Sequence, residues 1–254
     1  MSVERYIARD QYRVQGWLAP ESARLITSLA DYQAKNLPRR AVGEIGVHHG
    51  RLFILLALVA PQSAKFVIDV FGEQQLNLDA SGHGDRAIFE TNLRREGIDP
   101  ADVTIFSKSS LEVTGVQVRE AVGPVGLMSI DGGHTVECIQ NDLRIAEGAL
   151  DSHGVAILDD VFNATWPSVM TGFAEYLQGT PRLVPFAASP NKVYVCRPEW
   201  SDTYRDALRA VHHADYDRSD ALFGFEMDTY GGWKPHRVTL SDRIVRGVRR
   251  RLGA

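Results

Sequence analysis

No stretch of the 254-residue chain is apolar for long enough to cross a membrane: the most apolar window, residues 52–60, is about half the length a spanning helix needs. Cysteine is scarce. Cys138 and Cys196 stand far apart, with no CxxC or His/Cys grouping, so neither a zinc cage nor a dithiol couple is expected. That pattern fits a reducing cytoplasm. Arg5, Arg9, Asp10 and Arg13 break up the N-terminal stretch, and no secretory signal is expected there. Positive charge is not in excess; the net charge of -4 gives no reason to expect a nucleic acid partner. Internal repeats, low-complexity linkers and the dinucleotide fingerprint GxGxxG are also missing.

What the chain has is an alternation of short apolar runs with helical patterns, in a composition of 44% hydrophobic and 24% charged residues that suits a folded domain. Strands are expected at 41–47, 65–70, 103–106, 125–130 and 154–158, the last two being short apolar runs suited to burial. Helical spacing appears at 20–37, 52–59, 87–96, after His134 (Val136, Ile139, Leu143, Ile145) and at 166–178. Runs 183–186 and 192–196 read as a closing strand pair joined through Ser189-Pro190-Asn191. Five β–α alternations and this pair predict an α/β fold: a doubly wound, mostly parallel, seven-stranded sheet with helices on both faces. Residues 1–39 are expected to form an N-terminal extension and helix, with no clear period before residue 20. Residues 40–200 form the core, and 201–254 an addition that is not a separate domain.

The chemistry gathers at the predicted strand ends. Asp131-Gly132-Gly133-His134 follows the fourth run and Asp159-Asp160 the fifth, at the carboxyl ends where open α/β sheets bind ligands. A single Asp after a strand is often only a helix cap. Three carboxylates in one crevice repel one another, and a hard divalent cation bound through oxygen relieves that. After the first run, Gly46 and Gly50 serve as turn glycines or let a ligand approach the backbone and a helix N-terminus. Asp69, at the next strand end, is placed to accept bonds from ribose hydroxyls. His134, three residues after Asp131, suits a proton acceptor, or equally a helix-start residue bonding a carboxylate. Of the other histidines only His83, in a glycine-flanked loop, is expected to reach over a cofactor.

The segment Gly43-Glu44-Ile45-Gly46-Val47-His48-His49-Gly50 resembles motif I of the class I S-adenosylmethionine-dependent methyltransferases, although His48 stands where glycine is commoner. The resemblance covers roughly residues 40–200. It implies S-adenosyl-L-methionine as methyl donor, with Glu44, Gly46, His48 and Gly50 around its methionine part. Asp69 would bind the ribose, Ser109 would lie by the adenine, and Asp131 would sit beside the donor. The region from Asp131 to Asp160 is similar to the metal-dependent O-methyltransferases of the catechol and macrolide-sugar types. That likeness implies a divalent ion, expected to be Mg2+, on Asp131, Asp159 and Asp160, with His134 as base where the catechol type has Lys. Asp131 and His134 would then be the catalytic pair.

The acceptor is expected to be small. The polar loop at 76–85 has few aromatic residues to clamp a flat ring, which tilts the reading from a phenol towards a sugar. Rival readings are a nicotinamide-dependent oxidoreductase, disfavoured by the missing fingerprint, and a non-catalytic nucleoside binder, disfavoured by the retained carboxylates. The segments Phe223-Gly224-Phe225-Glu226 and Gly231-Gly232-Trp233 would cover the acceptor or form a contact in a homo-oligomer. Arg243, Arg246, Arg249, Arg250 and Arg251 read first as a solvated end, second as a basic amphipathic segment for an anionic surface or acceptor.

Overall fold

The computed structural model describes residues 2–231. Gly232, Trp233 and the arginine-rich segment lie outside them.

The strands β1 (Ala41–Ile45), β2 (Lys65–Asp69), β3 (Val103–Ser107), β4 (Val125–Ile130), β5 (Leu150–Asp159), β6 (Val184–Ser189), β7 (Lys192–Cys196), β8 (Tyr216–Leu222) and β9 (Phe225–Tyr230) form one sheet. Its order is β3-β2-β1-β4-β5-β7-β6-β9-β8. The first five are mutually parallel, β7 runs antiparallel between β5 and β6, and β9 lies parallel to β6. The seven-stranded doubly wound arrangement is thus present, extended by the β8–β9 pair. Chain direction across the sheet reverses between β1 and β4, so the carboxyl ends of these neighbours open a crevice for a ligand.

Helices cover both faces: α1 (Val3–Ala8), α2 (Pro20–Asn36), α3 (Arg51–Val59), α4 (Arg86–Arg95), α5 (Gly115–Val122), α6 (Val136–Ala149), α7 (Pro167–Gln178) and α8 (Ser201–His212). Strand residues alternate between two cores as the period of two demands. Val42, Val67, Leu127, Val155 and Ile157 pack with Leu25, Phe53, Phe89 and Tyr204 on one face. Ile45, Phe66, Met128, Ile130, Ala156 and Leu158 pack with Leu143, Val169 and Phe173 on the other. Helix α3 is apolar all round and buried from Leu52 to Ala57, which its sequence requires.

Several elements went unseen in the sequence. The first nineteen residues hold α1, only six residues long and so too short to display a helical period. Ser2 caps it, and Tyr6 is buried with its hydroxyl donating to the Arg51 carbonyl at 2.6 Å. Strand β8 is exposed along nearly its whole length, so its residues show no apolar alternation.

The close approach of α5 to α6 rests on Gly115. A Cβ there would lie 2.4 Å from the Ile145 carbonyl oxygen and 2.7 Å from the Gly148 Cα, and backbone atoms cannot step aside. Alanine would favour the helix by about 1 kcal/mol over glycine, but forcing the helices apart costs about 1–3 kcal/mol. Gly115→Ala is therefore expected to lower stability by about 1–2 kcal/mol in urea denaturation. An unchanged or raised midpoint would show that the helices separate freely.

Candidate functional site

At the end of β1 the chain turns through Gly46, at φ +78°, where a Cβ would stand 1.8 Å from the Asp131 carbonyl oxygen. Only glycine allows that approach, so the turn after β1 and the turn after β4 are built as one piece. The Gly46 N–H donates to the Ile68 carbonyl, and the Asp131 N–H to the Ile45 carbonyl, both at 2.8 Å. His48 is also left-handed, at φ +51°, and Gly50 at φ +91° precedes α3. The Asp69 carboxylate holds this turn: Oδ2 accepts from the His48 N–H at 2.8 Å, Oδ1 from the Phe71 N–H at 2.6 Å.

The turn borders a cavity of about 810 Å³, which joins Glu44, Gly46, His48, Asp69 and Ser109 to Asp131, His134, Asp159 and Asp160. Gly50 sits behind the turn against Phe89 and does not line it. His83 turns to Gln74, 3.1 Å away, and is not on the cavity wall. Glu44 is buried and, among the described residues, its Oε2 has no hydrogen-bond partner. Burial, then the charge of Asp131, pushes its carboxyl well above the usual carboxylate range. The same two influences, with Asp159 as the neighbouring charge, raise Asp131.

The three aspartates are not equivalent. Ligand atoms of Asp131, His134 and Asp160 lie within 4.8 Å of one another, an arrangement that fits one cation. Asp159, expected in that group, faces elsewhere: its Oδ2 pairs with the buried Lys192 ammonium. Its Oδ1 accepts from the Asp160 N–H at 3.0 Å and from Asn191 Nδ2 at 2.7 Å. Asn191 also donates to Asp160 Oδ1, and both residues are left-handed, at φ +63° and +61°. Burial opposes the charge of Lys192, but Asp159 and Asp131 hold its ammonium more firmly charged than a free lysine.

His134 lies between two carboxylates, Nδ1 at 2.8 Å from Asp79 and Nε2 at 3.1 Å from Asp160. Its ring stacks on Trp166 with centroids 4.3 Å apart. Burial works against the charged ring, yet the bonds to Asp160 and Asp79 carry it up to about 9. At Asp160 burial is outweighed by the bonds from His134, Asn163 and Asn191, which hold its carboxyl down at about 2.

Residues 44–161 match the family model described as a methyltransferase domain. This segment is a methyltransferase domain. Its strand order, β3-β2-β1-β4-β5, and its glycine turn agree with the class I resemblance seen in the sequence. No curated protein matches the chain. Among solved structures it is similar to the O-methyltransferase from Bacillus cereus in complex with SAH, with a TM-score of 0.50 at 17% identity over 76% of this chain and 88% of that one. MycE, a methyltransferase of the mycinamycin biosynthetic pathway in complex with Mg and SAH, gives a TM-score of 0.52 at 14% identity, over 78% of this chain and 55% of that one. CalS11, a TDP-rhamnose 3'-O-methyltransferase of calicheamicin biosynthesis, gives 0.48 at 15% identity, over 70% and 80%. These likenesses concern the fold.

The methyltransferase domain does not build its cavity alone. Gln15, Trp17 and Leu18 from the N-terminal extension line it, as do Asn191 and Lys192 from the β6–β7 turn. Sequence reading passed over Asp79, Trp166, Asn191 and Lys192. Only Asn191, in a Pro-Asn turn where left-handed backbone is common, carried a local signal.

Lys192 supplies a test of this arrangement. Lys192→Met strands Asp159 beside Asp131 and Glu44, and is expected to cost about 3–5 kcal/mol in urea denaturation. Adding Asp159→Asn should recover a large part of that loss. Equal stability of the single and double variants would show that the pair is not coupled.

Proposed function

We propose that the chain transfers the methyl group of S-adenosyl-L-methionine to a hydroxyl of a small acceptor, most readily a sugar, with a divalent ion, Mg2+ being expected. The observation that carries this reading is one cavity joining the glycine turn and Asp69 to the Asp131–His134–Asp160 cluster. The donor fits the first half. Glu44, with an oxygen unpartnered among the described residues, lies beside the Gly46 turn and suits the donor's ammonium group; Asp69 keeps lone pairs for ribose hydroxyls, and Ser109, on the cavity wall, would meet the adenine.

The acceptor belongs at the second half. Its oxygen lone pair forms the new O–CH3 bond as the S–CH3 bond breaks, leaving a neutral thioether, and its proton goes to His134 Nε2. The domain's main task is alignment of donor carbon and acceptor oxygen in line. A divalent ion on Asp131 and Asp160 would lower the proton affinity of the acceptor hydroxyl and offset the negative charge that holds His134 protonated. Asp159 stands behind these ligands, fixing Asp160 through Asn191. MycE, described with Mg and SAH on a similar fold, supports both the ion and the donor.

The acceptor wall contributes Gln74, Asn77 and Ser81, a polar lining that suits a polyhydroxylated ligand. Trp17 and Trp166 favour a second reading, a phenolic acceptor lying flat against an aromatic face. A methyl-transfer screen over sugars and phenols, with and without magnesium, separates the two.

Calorimetric titration with S-adenosyl-L-methionine is expected to show binding that Asp69→Ala weakens by about 1–3 kcal/mol, the scale of leaving charged hydrogen-bond partners unpaired. Unchanged affinity would remove Asp69 from the donor site. Excess chelator is expected to abolish turnover and magnesium to restore it. Full activity in chelator would refute the ion and leave the donor site standing.

A further inference from the structure

The loop of residues 70–85, between β2 and α4, lines one wall of the cavity with Gln74, Leu76, Asn77, Leu78, Ser81 and Gly82. It is knit from within. Asn77 Nδ2 donates to Gln74 Oε1 at 3.0 Å and to the carbonyls of Ser81 and Gly82 at 2.6 and 3.1 Å. The Ser81 N–H donates to Asp79 Oδ1 at 2.9 Å. Among the described residues, the hydrogen bonds this loop makes across the cavity all pass through Asp79. Its Oδ2 accepts from the His134 backbone N–H and lies 2.8 Å from His134 Nδ1. Both side chains are largely buried, His134 at 10% and Asp79 at 9% exposure.

We propose that Asp79 is a positioning residue that makes closure of the 70–85 loop and orientation of His134 a single event. Two donors from one residue converge on one carboxylate oxygen, so the imidazole and its backbone are fixed together. With Nδ1–H committed to Asp79, Nε2 is the nitrogen that faces Asp160 and, 3.9 Å away, Asp131. Trp166, stacked on the other side, fixes the ring plane. The loop cannot lift from the cavity without releasing Asp79, and the release leaves His134 free to rotate. A base oriented by a third group is the general arrangement for proton transfer to a positioned side chain. The far end of the same loop lies against the donor half of the cavity, where Gly82 and Gly84 neighbour His48 and Asp69, so a bound donor that packs against it also sets the base. The inference rests on the proposed role of His134.

Wild type, Asp79→Ala and Asp79→Asn provide the test, with chymotrypsin cleavage at Leu76 and Leu78 as the report on the loop. Leu78 is 58% exposed and open to attack once the loop loosens. Without ligand, Asp79→Ala should be cut about tenfold faster than wild type, since local opening sets the rate. S-Adenosylhomocysteine should slow cleavage of wild type but not of Asp79→Ala. Asp79→Asn, which keeps an oxygen acceptor in place, should retain most of the protection. With an acceptor found in the screen, Asp79→Ala should lower kcat by about 10–100-fold with little change in the acceptor's KM, and Asp79→Asn should recover part of it. The proposal is overturned by wild-type cleavage and kcat in Asp79→Ala, or by equal impairment of both variants with matching losses in Tm. If S-adenosylhomocysteine leaves wild-type cleavage unchanged, the donor site is refuted, and the ligand-free comparison still decides whether Asp79 holds the loop.

Discussion

The sealed pairing of Lys192 with Asp159 is the constraint on which the carboxyl edge of the sheet depends. Glu44, Asp131 and Asp159 are brought together by β1, β4 and β5, three neighbours in the sheet. Lys192 reaches them from β7, where its residue is in register with Asp159. Carboxylates at this spacing in a buried edge would each be driven towards neutrality. With one ammonium spent on Asp159, the neighbouring Asp160 is left to His134 and the cavity. The antiparallel insertion of β7 beside β5 is therefore more than a way to finish the sheet. It delivers the cation that lets the strand ends carry acids at all.

Backbone strain is concentrated at the same edge. Gly46, His48, Asp160 and Asn191 all take positive φ, and three of them carry side chains. Each such residue is disfavoured unless its surroundings hold it. The holding groups are visible: Asp69 takes the His48 N–H, and the Asp160 N–H donates to both Asp159 and the Asn191 carbonyl. Turns fixed by carboxylates keep ligand-facing atoms in place before a ligand arrives, the arrangement that makes alignment effective.

Legibility in the sequence follows range. The glycine turn, Asp69, Asp131 and the aspartate pair could be read because each sits at the end of an apolar run, and strand order then brings those ends together. Position on a strand end does not say which partner a carboxylate finds. That is why Asp159 was grouped with Asp131 and Asp160, when its partner is a lysine 33 residues away. Asp79 lay in a stretch that read only as polar, 55 residues from His134, and nothing local marks such a pair. The extra strands were hidden for another reason: β8 is exposed, and without burial a strand writes no alternation into its sequence.

Charge also gives the cavity a direction. The proposed donor is a sulfonium cation and leaves as a neutral thioether, while the proton released from the acceptor stays on the protein side. A wall containing Glu44, Asp69 and Asp131 favours the charged donor over its product by ordinary Coulomb attraction, strengthened where water is excluded. Burial and the neighbouring charges push the carboxyls of Glu44 and Asp131 up, the direction expected of a wall that resists a further negative charge. The donor's positive charge would relieve the resistance, and its loss on methyl transfer would restore it. The acids that make the edge costly to build are thus the ones that would distinguish the donor before reaction from the product after it, and they would do so without any movement of the sheet.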